Sequence, residues 1–178
     1  MFELVIGGSG SGKSQYAEDR LMEQPGRRLY IATMQPFGRE AHARIARHHT
    51  LRAGKGFLTL ECYHRLDTLA LPGAEGILLE CMGNLLANEM FSGEKKEEER
   101  SLCQRIYDGV LGLRRQCQRL LVVTNDVFAD GQRYDQDTLR YQALLAELNA
   151  LLAKEAHWVT EVVCGLPLAL KREDTCND

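Results

Sequence analysis

Residues 7–14 read GGSGSGKS and follow directly on the apolar run FELVI at residues 2–6. The stretch matches the pattern G-x-x-x-x-G-K-[ST], in which a strand leads into a glycine-rich loop and a helix begins at the end of that loop. Successive backbone N–H groups in such a loop point inward around a phosphate, and residues without a Cβ follow that path at little cost. The stretch therefore predicts a phosphate-binding loop between a buried strand and a helix.

The pattern gives the residues of this loop distinct roles. Lys13 is expected to reach the β- and γ-phosphates of a nucleoside triphosphate, and the Ser14 hydroxyl is a ligand for Mg²⁺. The helix that follows adds the partial positive charge of its N-terminus. A glycine-rich turn with an incidental lysine is the alternative, which the strand–loop–helix context disfavours. The predicted phosphate-binding residues are Gly7, Gly8, Ser9, Gly10, Ser11, Gly12, Lys13 and Ser14.

A carboxylate that supports the metal is expected at the end of another strand. Glu80 lies in the apolar run GILLEC at residues 76–81, and Asp126 follows LLVVTN at residues 120–125. Either side chain could hold Mg²⁺ directly or through water. An ordinary capping or turn carboxylate is the alternative for each of them.

The rest of the chain alternates continuous apolar runs with helical patterns, which is typical of a parallel sheet covered by helices on both faces. The predicted fold class is α/β, with a P-loop NTPase-like, mostly parallel sheet. We expect a single domain at residues 1–171 and a polar tail at residues 172–178. Strands are predicted at residues 2–6, 29–33, 76–81, 120–125 and 158–163, with a further short run, LPLAL, near the C-terminus. Helices are predicted at residues 14–22, 101–120 and 138–156.

The composition of the 178 residues fits one globular domain, and a net charge of −3 gives no indication of nucleic acid as a partner. No apolar run approaches the roughly 20 residues that span a bilayer. No basic leader or cleavage site precedes the first strand, so we expect a cytoplasmic protein. The six cysteines lack C-x-x-C spacing, which favours reduced thiols over a disulfide framework or a metal site.

Residues 38–56, GREAHARIARHHTLRAGKG, form a basic segment that contains three histidines. On a helix, Ile45 and His48 share one face, and Arg44 lies one turn before His48. A solvated basic surface is one interpretation. The other is that the arginines hold phosphates while an imidazole, a good nucleophile at neutral pH, attacks an α-phosphorus and carries a nucleotidyl group.

These segments, taken in order, resemble the bifunctional adenosylcobinamide kinase / adenosylcobinamide-phosphate guanylyltransferase family of cobalamin assembly. The resemblance extends over residues 2–171 and implies two steps. ATP or GTP first phosphorylates the terminal hydroxyl of the aminopropanol arm of adenosylcobinamide. GMP from GTP then passes through a covalent histidine intermediate to that phosphate. The matching pieces are GGSGSGKS, LYIAT, RIARHH followed by LTLE, ILLEC, VVTNDV and VVCGLPLALK.

The resemblance also implies site residues. It places the catalytic nucleophile at His48, three residues beyond Ile45 in RIARH, together with Lys13 in the phosphate loop. One of two glutamates would read the N1–H and N2 amino edge of guanine, which adenine lacks. Members of the family are homotrimers. The further nucleotide-site residues that it implies are Ala32, Thr33, Met34, His49, Thr50, Leu51, Arg52, Glu61 and Glu80.

The sequence departs from the family pattern after the fourth predicted strand. Residues 123–135 read VTNDVFADGQRYD where the family typically has VSNEVGxGIVP. Asp126 replaces a glutamate, Phe128 replaces a glycine, and the proline is absent. These differences concern the contacts with cobinamide and the balance of the two activities rather than the phosphate loop.

Two other functions are compatible with the phosphate loop. In a monofunctional small-molecule P-loop kinase, His48 would only clamp a phosphate, and no covalent nucleotide would form. A nucleotide-dependent regulator would bind without turnover. The RIARHH segment favours the bifunctional enzyme, because a regulator has no need of a nucleophile beside its nucleotide.

Overall fold

The protein is described here by a computed structural model, which covers residues 1–36, 38, 45–46, 50, 53–91, 98–127 and 134–173. A 3-10 turn at Leu66–Thr68 accompanies the main elements. The strands of the described part are β1 Phe2–Gly7, β2 Arg28–Ala32, β3 Phe57–Glu61, β4 Gly76–Leu79, β5 Arg119–Asn125, β6 Trp158–Val163 and β7 Leu166–Arg172. Its helices are α1 Lys13–Met22, α2 Met82–Phe91, α3 Glu99–Arg115 and α4 Gln136–Glu155.

The strands form one sheet in the order β3-β2-β4-β5-β1-β6-β7. All neighbouring pairs are parallel except β6 and β7, which form an antiparallel hairpin. Parallel strands end at the same edge of a sheet, so the carboxyl ends of β1, β4 and β5 lie together. The predicted α/β fold class with a mostly parallel sheet is confirmed.

Helices cover both faces of the sheet because successive side chains of a strand point to opposite faces. On one face, Ala17 and Leu21 of α1 pack in a cluster with Val5, Leu78 and Leu121. The larger cluster on the other face joins α2, α3 and α4 to the alternate strand residues, which include Leu4, Ile31, Leu79 and Val122. Each fully buried leucine or isoleucine side chain contributes about 1.5–3 kcal/mol of transfer free energy.

Two elements were not predicted from the sequence. β3 is an edge strand whose Leu58 side chain is exposed, so it lacks a continuous apolar run. Helix α2 begins at Met82, with only Glu80 and Cys81 between it and β4, and has no longer polar linker to mark its start.

The predicted helix at residues 101–120 is wrong at its C-terminal end. Helix α3 ends at Arg115, where the backbone N–H of Gln116 donates to the Leu113 carbonyl, and β5 begins at Arg119. At the C-terminus of the chain, β7 reaches Arg172, and residues 174–178 lie outside the described residues. Within the described part of the chain, none of the helices is both long and apolar enough to cross a bilayer.

We predict that Leu148→Ala in α4 lowers the free energy of unfolding by about 2–5 kcal/mol, because Leu148 is fully buried and its truncation leaves a cavity. Urea denaturation measures the change. The matched control is Leu139→Ala in the same helix, where the side chain is 51% exposed and the expected change is within about 0.5 kcal/mol. Equal losses in the two variants would contradict the packing described here.

Candidate active site

The loop between β1 and α1 has the backbone conformation that its sequence requires. Gly10 and Gly12 have φ angles of 72° and 92°, in the left-handed region where a side chain is strained. Gly12 is the N-cap of α1, and the Ser11 N–H donates to the Gly8 carbonyl at 3.2 Å. The loop thus curls over the N-terminus of α1, where unpaired N–H groups and the helix dipole favour an anion.

The hairpin turn between β6 and β7 supports this loop from the side. Cys164 and Gly165 both have positive φ angles, 51° and 79°, as a two-residue hairpin connection requires. The Gly165 N–H donates to the Ser11 carbonyl at 2.8 Å, and a Cβ on Gly12 would lie 3.2 Å from the Gly165 Cα. The two-residue gap between apolar runs was the available sequence signal for this turn, but nothing local indicated its contact with the loop.

Lys13 is a cation whose anionic partner is not supplied by the described residues. Its Nζ donates to the Gly8 carbonyl at 2.9 Å, and no carboxylate of the described part forms an ion pair with it. Burial lowers the pKa of Lys13, an effect that the nearby Cys81 side chain partly opposes. A bound phosphate would restore the favourable surroundings of the ammonium group.

Glu80, directly after β4, holds the loop that follows β2. This buried carboxylate accepts from the Tyr30 hydroxyl at 3.0 Å, from the Thr33 N–H at 3.0 Å and from the Met34 N–H at 3.4 Å. The structure therefore brings together three of the predicted nucleotide-site residues, and Ala32 ends the strand just before them. Glu80 fixes the path of this segment.

A second clamp joins the same loop to the end of β3. The Asn88 side-chain amide donates both to the Thr33 carbonyl at 2.8 Å and to the Tyr63 carbonyl at 3.1 Å. Glu61 lies opposite Ala32 in the β2–β3 register, is exposed, and accepts from the Tyr63 hydroxyl at 2.8 Å. Burial, together with the Glu61 carboxylate, raises the pKa of Tyr63 to about 12. The ends of β2 and β3 thus form one rigid surface beside Glu80.

Asp126 and Ser14 lie at the same edge of the sheet. The backbone N–H of Asp126 donates to the Gly7 carbonyl at 3.1 Å, and the residue is exposed. Ser14 is in the first turn of α1. The described residues contain no group of three or more histidine, cysteine, aspartate or glutamate side chains that could hold a metal on their own.

Part of the predicted site lies outside the described residues, namely His48, His49, Leu51 and Arg52. Thr50 is described, and its hydroxyl donates to the Ala46 carbonyl at 3.0 Å. Three residues that no sequence signal marked, Asn125, Cys81 and Tyr141, lie around Gly83 at the carboxyl edge, and the Cys81 side chain influences the pKa of Lys13. No short motif marks them, because they come from three separate elements.

A P-loop nucleotide-binding protein is defined by a glycine-rich loop between a parallel strand and a helix. Here that loop ends in a lysine that has no anionic partner among the described residues. Residues 3–170 match the sequence profile of the family described as cobinamide kinase / cobinamide phosphate guanyltransferase. The chain belongs to this enzyme family, as the resemblance of its motifs had implied.

Known relatives and structures are similar to nearly the whole chain. The bifunctional adenosylcobalamin biosynthesis protein CobU of Salmonella typhimurium is 33% identical over 183 residues, covering 96% of this chain and 100% of the relative. The protein of the same name in Escherichia coli K12 is 32% identical, with the same coverage. CobP of Pseudomonas aeruginosa is 29% identical over 97% of this chain and 99% of that relative. Among solved structures, a KaiC-like protein of Pyrococcus horikoshii OT3 is similar at a TM-score of 0.49 with 13% identity, covering 99% of this chain and 82% of that one.

We predict that Gly7→Ala lowers the free energy of unfolding by about 1–3 kcal/mol, because overpacking forces the backbone to shift. A Cβ at this position would lie 2.6 Å from the Ser11 Oγ and 2.7 Å from the Val162 carbonyl oxygen. Gly8→Ala is the matched control, since its Cβ would meet nothing within 4 Å. Thermal unfolding of the nucleotide-free protein compares the two variants. An equal drop in melting temperature for Gly7→Ala and Gly8→Ala would contradict the close packing described around Gly7.

Lys13→Met should leave the nucleotide-free protein at least as stable as the wild type, because it removes a desolvated charge that has no described counter-ion. The same variant should lose the rise in melting temperature that Mg²⁺ and GTP produce in the wild type. Differential scanning fluorimetry with and without nucleotide measures both effects. Lower stability without nucleotide, or an unchanged nucleotide effect, would contradict the role given to Lys13.

Proposed function

We propose that the chain phosphorylates the terminal hydroxyl of adenosylcobinamide with ATP or GTP and then joins GMP from GTP to that phosphate. One observation carries the proposal. Lys13 lies desolvated and without a described anionic partner in a glycine loop at a helix N-terminus, within a chain that matches the family over residues 3–170. Such a loop and lysine are suited to the phosphates of a nucleotide.

In the first step, the loop N–H groups and Lys13 bind the β- and γ-phosphates. The alcohol oxygen attacks the terminal phosphorus, and the bond from that phosphorus to the β-phosphate oxygen breaks. The nucleoside diphosphate leaves with the charge that Lys13 and the helix N-terminus stabilise. Catalysis here consists mainly of positioning and of neutralising charge, since little covalent chemistry falls to the protein.

In the second step, the imidazole of His48 attacks the α-phosphorus of GTP and pyrophosphate leaves. An oxygen of the acceptor's phosphate then attacks the same phosphorus. The bond to His48 breaks, and the product is the GDP-linked acceptor. His48 must be neutral to attack, and the arginines of its segment disfavour a further positive charge.

Mg²⁺ would be held by the Ser14 hydroxyl, by the nucleotide phosphates and by water, with a carboxylate at the same edge. This ligand set suits magnesium, which keeps several waters and needs only one or two protein ligands. Asp126 is the better of the two carboxylate candidates because it is exposed, whereas Glu80 is buried and accepts from Tyr30, Thr33 and Met34. When bound, the ion would neutralise charge on the phosphates.

Glu61 is the glutamate that we propose to read guanine. Its carboxylate is exposed at the end of β3 and accepts from the Tyr63 hydroxyl at 2.8 Å. A carboxylate can accept two hydrogen bonds from the N1–H and N2 amino edge of guanine, which adenine cannot offer. Residues 49–52 would contact the guanylyl group, and Ala32, Thr33 and Met34 would line the nucleotide site beside it.

The proposal also includes the oligomeric state and the location of the protein, a homotrimer in the cytoplasm. Both properties rest on the resemblance to the family. A trimer would let a neighbouring copy help to enclose a substrate as large as a corrinoid. Sedimentation equilibrium of the purified chain measures the mass of the assembly.

The decisive test of the second step uses GTP labelled at the α-phosphorus. After incubation with Mg²⁺ and denaturation, label should remain on the wild-type protein. The label should survive treatment with base and be lost in acid, because this is how a phosphoramidate on histidine behaves. His48→Ala should abolish the label while keeping phosphoryl transfer to the alcohol. The matched control is His49→Ala, which should retain the label.

Loss of label in His49→Ala with full label in His48→Ala would reassign the nucleophile. Phosphoryl transfer by a wild-type protein that never takes up label would identify a monofunctional kinase. Nucleotide binding with neither reaction would identify a regulator.

A further inference from the structure

Asn125 is the last residue of β5, the strand that lies between β1 and β4 in the sheet. In the β1–β5 register it lies opposite Gly7, the first residue of the phosphate loop. The next residue, Asp126, donates its backbone N–H to the Gly7 carbonyl. The Asn125 side chain therefore belongs to the edge of the sheet where a bound triphosphate would end.

The Asn125 amide has hydrogen-bonding capacity left over. Its Nδ2 donates to the Cys81 Sγ at 3.6 Å, and sulfur is a weak acceptor. Within the described part of the chain, no residue donates to its Oδ1. The Cys81 side chain in turn influences the pKa of Lys13, so the amide belongs to the same edge of the sheet as the lysine of the loop. Because Nδ2 faces the sulfur, the group that Asn125 offers to the site is an acceptor.

Helix α4 holds the end of β5 in place. The buried Asn149 side chain accepts from the Thr124 hydroxyl at 2.7 Å, and its own amide donates to the Asn125 carbonyl at 3.5 Å. About two turns nearer the N-terminus of α4, the Gln142 side-chain amide donates to the Val127 carbonyl at 2.9 Å. These bonds lie on both sides of Asn125 and fix the backbone from which its amide projects.

Tyr141 of the same helix reaches the same place. A Cβ on Gly83 would lie 2.6 Å from the Tyr141 hydroxyl and 3.2 Å from the Asn125 Nδ2, so this glycine leaves room for both groups. Burial raises the pKa of Tyr141 to about 12, which keeps its hydroxyl protonated. No described residue accepts that proton, so the hydroxyl is a second polar group with capacity to spare.

We propose that Asn125 contacts the alcohol acceptor of the phosphoryl-transfer step through its Oδ1 and orients the attacking oxygen, with the Tyr141 hydroxyl beside it. The Asn125 Oδ1 is a hydrogen-bond acceptor, and so are the oxygens of a phosphate, so Oδ1 does not bind the phosphate itself. The group that it binds must be a hydrogen-bond donor. The substrate hydroxyl is the donor that has to lie next to the terminal phosphate. This inference rests on the proposed kinase function and names residues for it.

The chemistry needs no base at Asn125. The alcohol oxygen attacks the terminal phosphorus, the bond from that phosphorus to the leaving nucleoside diphosphate breaks, and after the new O–P bond forms the proton leaves its hydrogen bond with Asn125 for an oxygen of the transferred phosphoryl group. Asn125 accepts a hydrogen bond from the hydroxyl and holds its lone pair in line with the bond that breaks. Water needs no such orientation, so hydrolysis of the nucleotide should depend on Asn125 less than transfer does.

The test measures phosphorylated adenosylcobinamide and inorganic phosphate in the same reaction, with Mg²⁺ and with ATP and GTP in turn. Asn125→Ala should lower kcat for transfer by about 10- to 100-fold while the KM for nucleotide changes less than about threefold. The share of turnovers that release free phosphate should rise. Tyr141→Phe should lower transfer in the same direction by a smaller factor, and Asn125→Asp, which keeps an acceptor oxygen, should lose less than Asn125→Ala.

Gln104→Ala is the matched control, because among the described residues this exposed amide bonds with Asp108 on the same helix α3, and its loss should change neither product. Melting temperatures show which variants are folded. If Asn125→Ala does not fold, the transfer rate of Tyr141→Phe still tests the proposal. A parallel fall in transfer and hydrolysis, or unchanged transfer in folded variants, would overturn the assignment. A wild-type protein that forms no phosphorylated acceptor would instead overturn the proposed function.

Discussion

The parallel direction of β1, β4 and β5 is the constraint on which the rest of the site depends. It puts the carboxyl ends of three neighbouring strands at one edge, with Gly7, Glu80 and Asn125 at or just beyond those ends. Side chains buried on both faces hold the register, since a shift by one residue would turn every buried side chain to the other face. The core therefore determines where the polar groups meet.

The phosphate loop is held by contacts that are distant in sequence. The turn at Cys164 and Gly165 contacts the loop through the hydrogen bond from the Gly165 N–H to the Ser11 carbonyl, and the close approach favours glycine at position 12, where a Cβ would lie 3.2 Å from the Gly165 Cα. Lys13 donates to the Gly8 carbonyl of this loop and has no counter-ion among the described residues. The site thus keeps an unfavourable charge in the nucleotide-free protein, and a bound phosphate removes that cost. Binding and stability are opposed at this one residue.

Features set by local pattern could be predicted from the sequence. The phosphate loop, β1 and α1 follow from eight residues and the apolar run before them, and five strands follow from continuous apolar runs. The missed β3 is half exposed, and α2 starts without a longer polar linker, so neither gave a local signal. Helix α3 stops at Arg115 because the chain must turn into β5, which is a tertiary requirement. Asn125 and Tyr141 meet only through the packing of α4 on β5.

The most direct test of the central claim is a crystal structure with Mg²⁺ and a GTP analogue that resists cleavage. We expect the β-phosphate oxygens within about 2.7–3.2 Å of loop N–H groups between Gly8 and Ser14, with the Lys13 Nζ turned from the Gly8 carbonyl towards the phosphates. A triphosphate bound elsewhere on the sheet, with Lys13 still on Gly8, would contradict this claim.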